Sequence, residues 1–239
     1  MDKRIGIAIL AHGKTHIDES LDLLKSIKEK TNYEFDYYIA TNDVNRFRHL
    51  IVNVIKIEGE FNYNLKMIPI EECMKYNDVT IFIDSDSIMM EDIYLNNFIN
   101  LQEGLHAKIY ENYPKIYPFY GALQNESGIE DVPHFFEFFF IIKLTSDNKK
   151  KTFFDNWRRL SEKTKPFHIN SKGKSGANVG LFIGAACKIS DIEIIDYKES
   201  TAHDTFLVFH HLFNNDISVD TIVDKIEGQT NNSVFKKLI

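Results

Sequence analysis

Apolar residues in this chain fall into short unbroken runs that end on polar punctuation, and stretches of helical period separate them. Residues 5–11 (Ile-Gly-Ile-Ala-Ile-Leu-Ala) form the first such run, closed by His12 and Gly13. They predict a buried strand followed by a sharp turn. From Ile17 onward, Leu21, Leu24, Ile27 and Lys28 share one helical face and predict a helix packed on that face. Asp18 and Glu19 suit its N-terminus, and Lys25, Lys28 and Lys30 its C-terminal part. Residues 35–41, stopped by Asn42-Asp43, read as a second strand, and the β-branched run 51–57 as a third. Residues 64–76 read as a helix interrupted by Pro69.

Residues 79–87 (Val-Thr-Ile-Phe-Ile-Asp-Ser-Asp-Ser) organise the rest. The apolar part predicts a strand buried on both faces. Its polar end must emerge at the C-terminal edge of the sheet, where open α/β sheets collect ligands. Asp84 and Asp86, one residue apart, can converge on one hard divalent cation that keeps positions open for phosphate. A plain strand-ending turn has the same residue types. The alternation of strands and helices up to this point implies a mostly parallel sheet with right-handed crossovers.

Beyond Asp86 the pattern loosens. Residues 87–100 predict a helix or loop, and residues 116–121 with Gly128 bracket a loop-rich region. Residues 134–143 read as an aromatic strand, and 152–162, carrying Phe153, Phe154, Trp157 and Leu160, as an amphipathic helix. A lysine-bearing loop (Lys163, Lys165, Lys172, Lys174) spans 163–180, and 181–189 is apolar again. Residues 200–204 read as the start of a helix with Asp204 in its first turn, continuing through 206–213; residues 217–223 predict a closing strand. No repeat or linker interrupts the chain, so one domain is expected.

Composition narrows the function classes. A net charge of −7 argues against a nucleic-acid backbone as partner. Cys73 and Cys187 fit no metal-ligand spacing and read as buried thiols in a reducing compartment, the cytoplasm. No apolar run approaches the roughly 18 residues of a membrane span, and the opening residues show no signal-peptide pattern.

The βα opening, the strand running into Asp84-Ser85-Asp86 about a third of the way along and the loop-rich second half resemble the GT-A fold of nucleotide-sugar-dependent glycosyltransferases. The aromatic segment 138–143 followed by Thr152-Phe153-Phe154-Asp155-Asn156-Trp157 is similar to the strand and helix beyond the acceptor region of such enzymes. His203-Asp204-Thr205-Phe206-Leu207 is similar to their later acidic helix start. The resemblance implies an α/β, Rossmann-like single GT-A domain over 1–239, with a mostly parallel central sheet flanked by helices. Its nucleotide-binding half is expected at about 1–100 and its acceptor half at about 101–225.

The same resemblance implies Mn²⁺ or Mg²⁺ held against a donor diphosphate, with Asp86 as the direct ligand and Asp84 toward the ribose or the metal. It implies a UDP- or GDP-sugar donor, a saccharide or glycoconjugate acceptor, and a nucleoside pocket of Ala11, His12, Thr41, Asn42, Lys66 and Ser85. Asp204 is the expected base or stabilising carboxylate, with Glu137, a lone acid among aromatics, in reserve. The chain has His134-Phe135-Phe136-Glu137 where many such enzymes carry Asn-x-Gly, and no histidine follows His211 to serve as their late metal ligand. Two other readings stay open. One is a haloacid-dehalogenase-like phosphatase with Asp84 as nucleophile, although that motif usually lies on the first strand and no Gly-Asp-x-x-x-Asp follows. The other is a non-catalytic nucleotide-sugar-binding protein.

Overall fold

Strand β1 (Ile5–Ala11) has every residue buried, as its unbroken apolar run requires. Around it, a computed structural model describes residues 4–31, 33–89, 101–109, 118–165 and 179–196, and the backbone of 208–210. After β1 come α1 (Lys14–Lys30), β2 (Asp36–Thr41), β3 (Asn53–Lys56), α2 (Met67–Tyr76), β4 (Val79–Ile83) and β5 (Ser87–Met89). The second half holds β6 (Gly104–Ala107), α3 (Pro118–Ser127), β7 (Phe139–Lys143), α4 (Asp147–Thr164), α5 (Val179–Ile189), β8 (Ile194–Asp196) and β9 (Val208–His210).

Seven strands form one sheet in the order β3-β2-β1-β4-β7-β6-β8, and β5 pairs with β9 separately. Strands β1 to β4 are mutually parallel. Strand β7 runs against both β4 and β6, while β8 is parallel to β6. The chain is thus α/β, with a mostly parallel sheet flanked by helices.

Side-chain alternation splits the core into two layers. Ile5, Ile7 and Ile9 of β1 and Val79, Ile81 and Ile83 of β4 pack with Ile17, Leu23, Leu24 and Ile27 of α1. Ala8 and Phe82 point the other way, into a larger cluster with α2, α4 and α5, where Trp157 has no accessible surface. Gly6 faces α2 so closely that a Cβ would lie 2.3 Å from Cys73 Sγ. Burial pushes the Cys73 thiol up to about 12, and Cys187 is pushed up for the same reason.

Several expected elements differ. Helix α1 begins one turn earlier, at Lys14, so Asp18 and Glu19 leave its first turn; Leu23 is buried and Lys28 is exposed. Strand β3 covers only Asn53–Lys56, because Ile51 is 95% exposed. Pro69 sits in the first turn of α2, where the missing N–H has no intrahelical partner to lose. The loop-rich region holds α3, which Gly128 closes at φ 71 with its N–H on Gln124 O. Residues 87–89 are a strand rather than a helix or loop. Residues 208–210 are a strand rather than part of a helix, each short strand satisfying the other's backbone. Residues 134–138 precede β7 as bridge and turn. The expected strand at 217–223 lies outside the described residues, as do Asp204 and 166–178 of the lysine loop.

Two glycines in helices should respond to alanine with opposite signs. A Cβ at Gly184 in α5 would sit 2.0 Å from the backbone oxygen of Pro133, whereas Gly121 in α3 has nothing within 4 Å. Gly184→Ala should cost about 3 kcal/mol or more, and Gly121→Ala should gain up to about 1 kcal/mol from helix propensity. Urea denaturation of the two variants checks both signs.

Candidate active site

The order of the sheet has a reversal point. From β1 the chain builds outward to β2 and β3, then crosses back to place β4 on the other side of β1. Ligands of open α/β sheets bind outside the carboxyl ends of the strands at such a reversal. The end of β1 delivers His12 and Gly13 there, and the end of β4 delivers Asp84. Because β7 is antiparallel to β4, its beginning lies at the same edge, with Phe139 opposite Ile83. The Asp84 N–H donates to Phe138 O at 2.8 Å, so Glu137 stands beside the end of β4.

Lys66 joins them from the last residue of a 3-10 turn (Tyr63–Lys66) that runs into α2. Its side chain is only 4% exposed, and its ammonium lies 2.8 Å from each carboxylate oxygen of Asp84, itself 21% exposed. It also donates to Glu137 O at 3.4 Å and rests over the Phe82 ring, 5.1 Å from the centroid. A buried ammonium would be prohibitive alone; the carboxylate, the carbonyl and the ring together compensate its lost water.

Glu137 completes the group. Burial holds its carboxyl above the ordinary range; Lys66 pulls it back, Asp84 pushes it up, and the Gly180 N–H in the first turn of α5 favours the charged form. The site therefore pairs one carboxylate neutralised by lysine with one whose proton affinity is raised, a contrast that separates charge-holding from proton-transfer roles.

The acidic turn is tied to α1. Ser85 is buried and its hydroxyl lies 3.3 Å from His16 Nδ1, which is 3.0 Å from Glu19 Oε2. Glu19 raises the His16 pKa, with Asp86 and Asp84 adding to the effect. One residue past Asp86, the buried Ser87 hydroxyl has no hydrogen-bond partner among the described residues. Among the described residues no three His, Cys, Asp or Glu side chains form a metal cluster. Two hard carboxylates with an unsatisfied hydroxyl nearby fit an ion of the Mg²⁺ or Mn²⁺ type, which keeps water and phosphate ligands, and not a closed zinc site. Strand β9 brings the backbone of His210 opposite Ser87.

Other expected site residues separate. Ala11 and Thr41 have no accessible surface, because both are still strand residues packed within the sheet, and neither side chain offers a face to a ligand. Asn42 lies just beyond, where its Oδ1 accepts the Gly13 N–H at 2.8 Å. His12 Nε2 is 3.0 Å from Gly59 O, pinning the loop after β3. Asp204 lies outside the described residues. Sequence reasoning missed His16, whose position in the first turn of α1 was the available signal, and Phe61, whose ring stacks on it at 5.6 Å. The chain matches no protein-family model and, on sequence, no curated protein. Among the described residues no helix is long and apolar enough to cross a membrane.

The raised Glu137 pKa carries a stability prediction. The folded chain keeps this proton at pH values where the unfolded chain, with a Glu pKa near 4.3, has lost it. Its contribution is therefore full below that value and is lost as pH rises through the folded pKa. Glu137→Gln lacks the loss, so its melting temperature should gain on wild type as pH rises from about 4 toward neutrality. A difference that stays flat across that range would mean that Glu137 ionises equally easily in both states.

Proposed function

We propose that this chain is a metal-assisted glycosyltransferase of the GT-A kind. It would move a sugar from a UDP- or GDP-sugar to a hydroxyl of a saccharide or glycoconjugate. The observation that carries the reading is the convergence of Asp84, Lys66 and Glu137 at the reversal point of the sheet, with Asp86 two residues on.

In this reading Asp86 is the direct ligand of Mn²⁺ or Mg²⁺, and Asp84, steadied by Lys66, faces the ribose or the ion. When bound, the ion supplies Lewis-acid stabilisation of the leaving diphosphate. Glu137 takes the proton of the acceptor hydroxyl as the new bond to the anomeric carbon forms and the bond to the diphosphate breaks, the diphosphate leaving with the electron pair. A carboxylate with raised pKa is better matched to that transfer near neutral pH than an ordinary one. Two buried free thiols, Cys73 and Cys187, support a reducing cytoplasm as its place of work.

The Lys66–Asp84 pair also suits a phosphatase in which Asp84 attacks phosphorus, and one screen separates the readings. Thermal shifts are measured with UDP- and GDP-sugars, each with and without Mn²⁺, on wild type and Asp86→Asn. The expected outcome is stabilisation of wild type by one nucleotide sugar only with Mn²⁺, reaching about 2.7 kcal/mol at a hundredfold excess over Kd. Asp86→Asn should stay folded and lose the effect. Stabilisation by inorganic phosphate together with phosphatase turnover would replace the glycosyltransferase reading, and binding without sugar transfer to any acceptor would leave a binding protein.

A further inference from the structure

The loop from β3 to α2 is fixed in backbone yet turns two aromatic rings to solvent. Ile57 N–H donates to Thr41 O at 2.9 Å, His12 Nε2 lies 3.0 Å from Gly59 O, and Asn62 Oδ1 accepts from Asn64 N at 3.1 Å. Asn64 Oδ1 in turn accepts from Trp157 Nε1 at 2.9 Å, tying the loop to the interior. Despite these anchors, Phe61 is 37% and Tyr63 40% exposed, while the largest rings elsewhere, Trp157, Phe47, Phe82 and Phe135, are fully buried. Exposed apolar surface costs roughly 25 cal/mol per Å², and this loop has not folded its rings inward.

The two rings are ordered against one another and against the site. Phe61 lies over His16 at 5.6 Å and 26°, is tilted to His12 at 5.8 Å, and meets the Tyr63 ring edge-on at 5.1 Å. His16 contacts Ser85 between the two aspartates, and Tyr63 lies under the Lys66 ammonium at 5.9 Å. The shelf therefore runs alongside the Asp84–Lys66 pair, one side chain away from the acidic turn.

We infer that Phe61, supported by His16 and Tyr63, is the stacking surface for the planar base of a nucleoside diphosphate whose phosphates lie at the Asp84–Asp86 turn. This rests on the function proposed above and adds to it the residue that holds the base. A flat heterocycle can cover a ring face completely, which a puckered sugar cannot. His16 links the two features directly, stacking on Phe61 on one side and meeting Ser85 of the acidic turn on the other. Stacking reads a π-face rather than a hydrogen-bond pattern, so Phe61 should hold pyrimidine and purine bases alike. It takes over from Ala11 and Thr41, whose side chains are sealed in the sheet.

The test is calorimetric titration of UDP, GDP and inorganic pyrophosphate, each with Mn²⁺, into wild type, Phe61→Ala and Phe61→Trp. Phe61→Ala should weaken both nucleotides roughly 10- to 100-fold, the range expected for one lost base–aromatic stack, and leave pyrophosphate binding unchanged. Phe61→Trp should keep nucleotide affinity, and its added emission should be quenched by UDP or GDP and not by pyrophosphate. Unchanged nucleotide affinity in Phe61→Ala overturns the shelf, as does an equal loss for nucleotide and pyrophosphate, which would report a disturbed loop. A wild-type chain that binds pyrophosphate but no nucleotide also overturns the shelf while sparing the metal–diphosphate site; one that binds none of the three removes the proposed function itself.

Discussion

The contact on which the site depends is a lysine ammonium held out of water against a carboxylate. Taking Lys66 to 4% exposure is tolerable only because Asp84 meets it with both oxygens, while Glu137 O and the Phe82 ring cover other directions. The lysine and its partners come from different pieces of chain: the 3-10 turn leading into α2, the end of β4 and the turn before β7. Satisfying one ammonium therefore fixes three segments relative to one another. The acidic turn inherits a rigid base, with Asp84 N–H bonded to Phe138 O and Ser87 N–H to Asp84 O at 3.2 Å. A ligand that needs well-placed charge meets groups already oriented, and that lowers the reorganisation needed on binding.

Much of the first half of the fold was legible because it is a parallel sheet covered on both faces. Such strands read as unbroken apolar runs, and β1 and β4 fall on those runs with β2 one residue shorter. Helix α4 was legible from Phe153, Phe154, Trp157 and Leu160, which it buries together with Thr164. Legibility failed where the local signal was short or uniform. Helix α5 is apolar nearly all round because it is enclosed, so periodicity gave no way to tell it from a strand. Strands β5 and β9 have three residues each and exist through their mutual pairing, a contact 123 positions apart by the Ser87–His210 register, which no local window contains.

The candidate site divides along the same line. Glu137 could be named from residue type because a lone acid among aromatics is costly wherever it ends up; Asp84 was named from its spacing with Asp86 at the end of an apolar run, and Lys66 only from the family resemblance. Ala11 and Thr41 were drawn into the pocket by their position near strand ends, and a difference of one residue sealed them into the sheet while Asn42 emerged. His16 and Phe61 were missed because their relevance depends on which rings tertiary packing leaves uncovered. Phe61 has the same residue type as Phe47, which is fully buried.

The direction of one strand explains why these groups meet at all. Strand β7 has five residues, about 3.3 Å each, so its two ends are roughly 17 Å apart. Had β7 joined β4 in parallel, the turn carrying Glu137 would lie at the opposite edge of the sheet, about that far from Asp84. Running antiparallel, it returns Glu137 to the edge where β1 and β4 end and where α2 and α5 begin. Those helix starts contribute the Gly180 N–H to Glu137 and the Lys66 ammonium to Asp84. The parallel half alone would have provided a reversal point with an acidic turn. Inserting one reversed strand added the second carboxyl, and with it a contrast between a carboxylate paired with lysine and one of raised proton affinity.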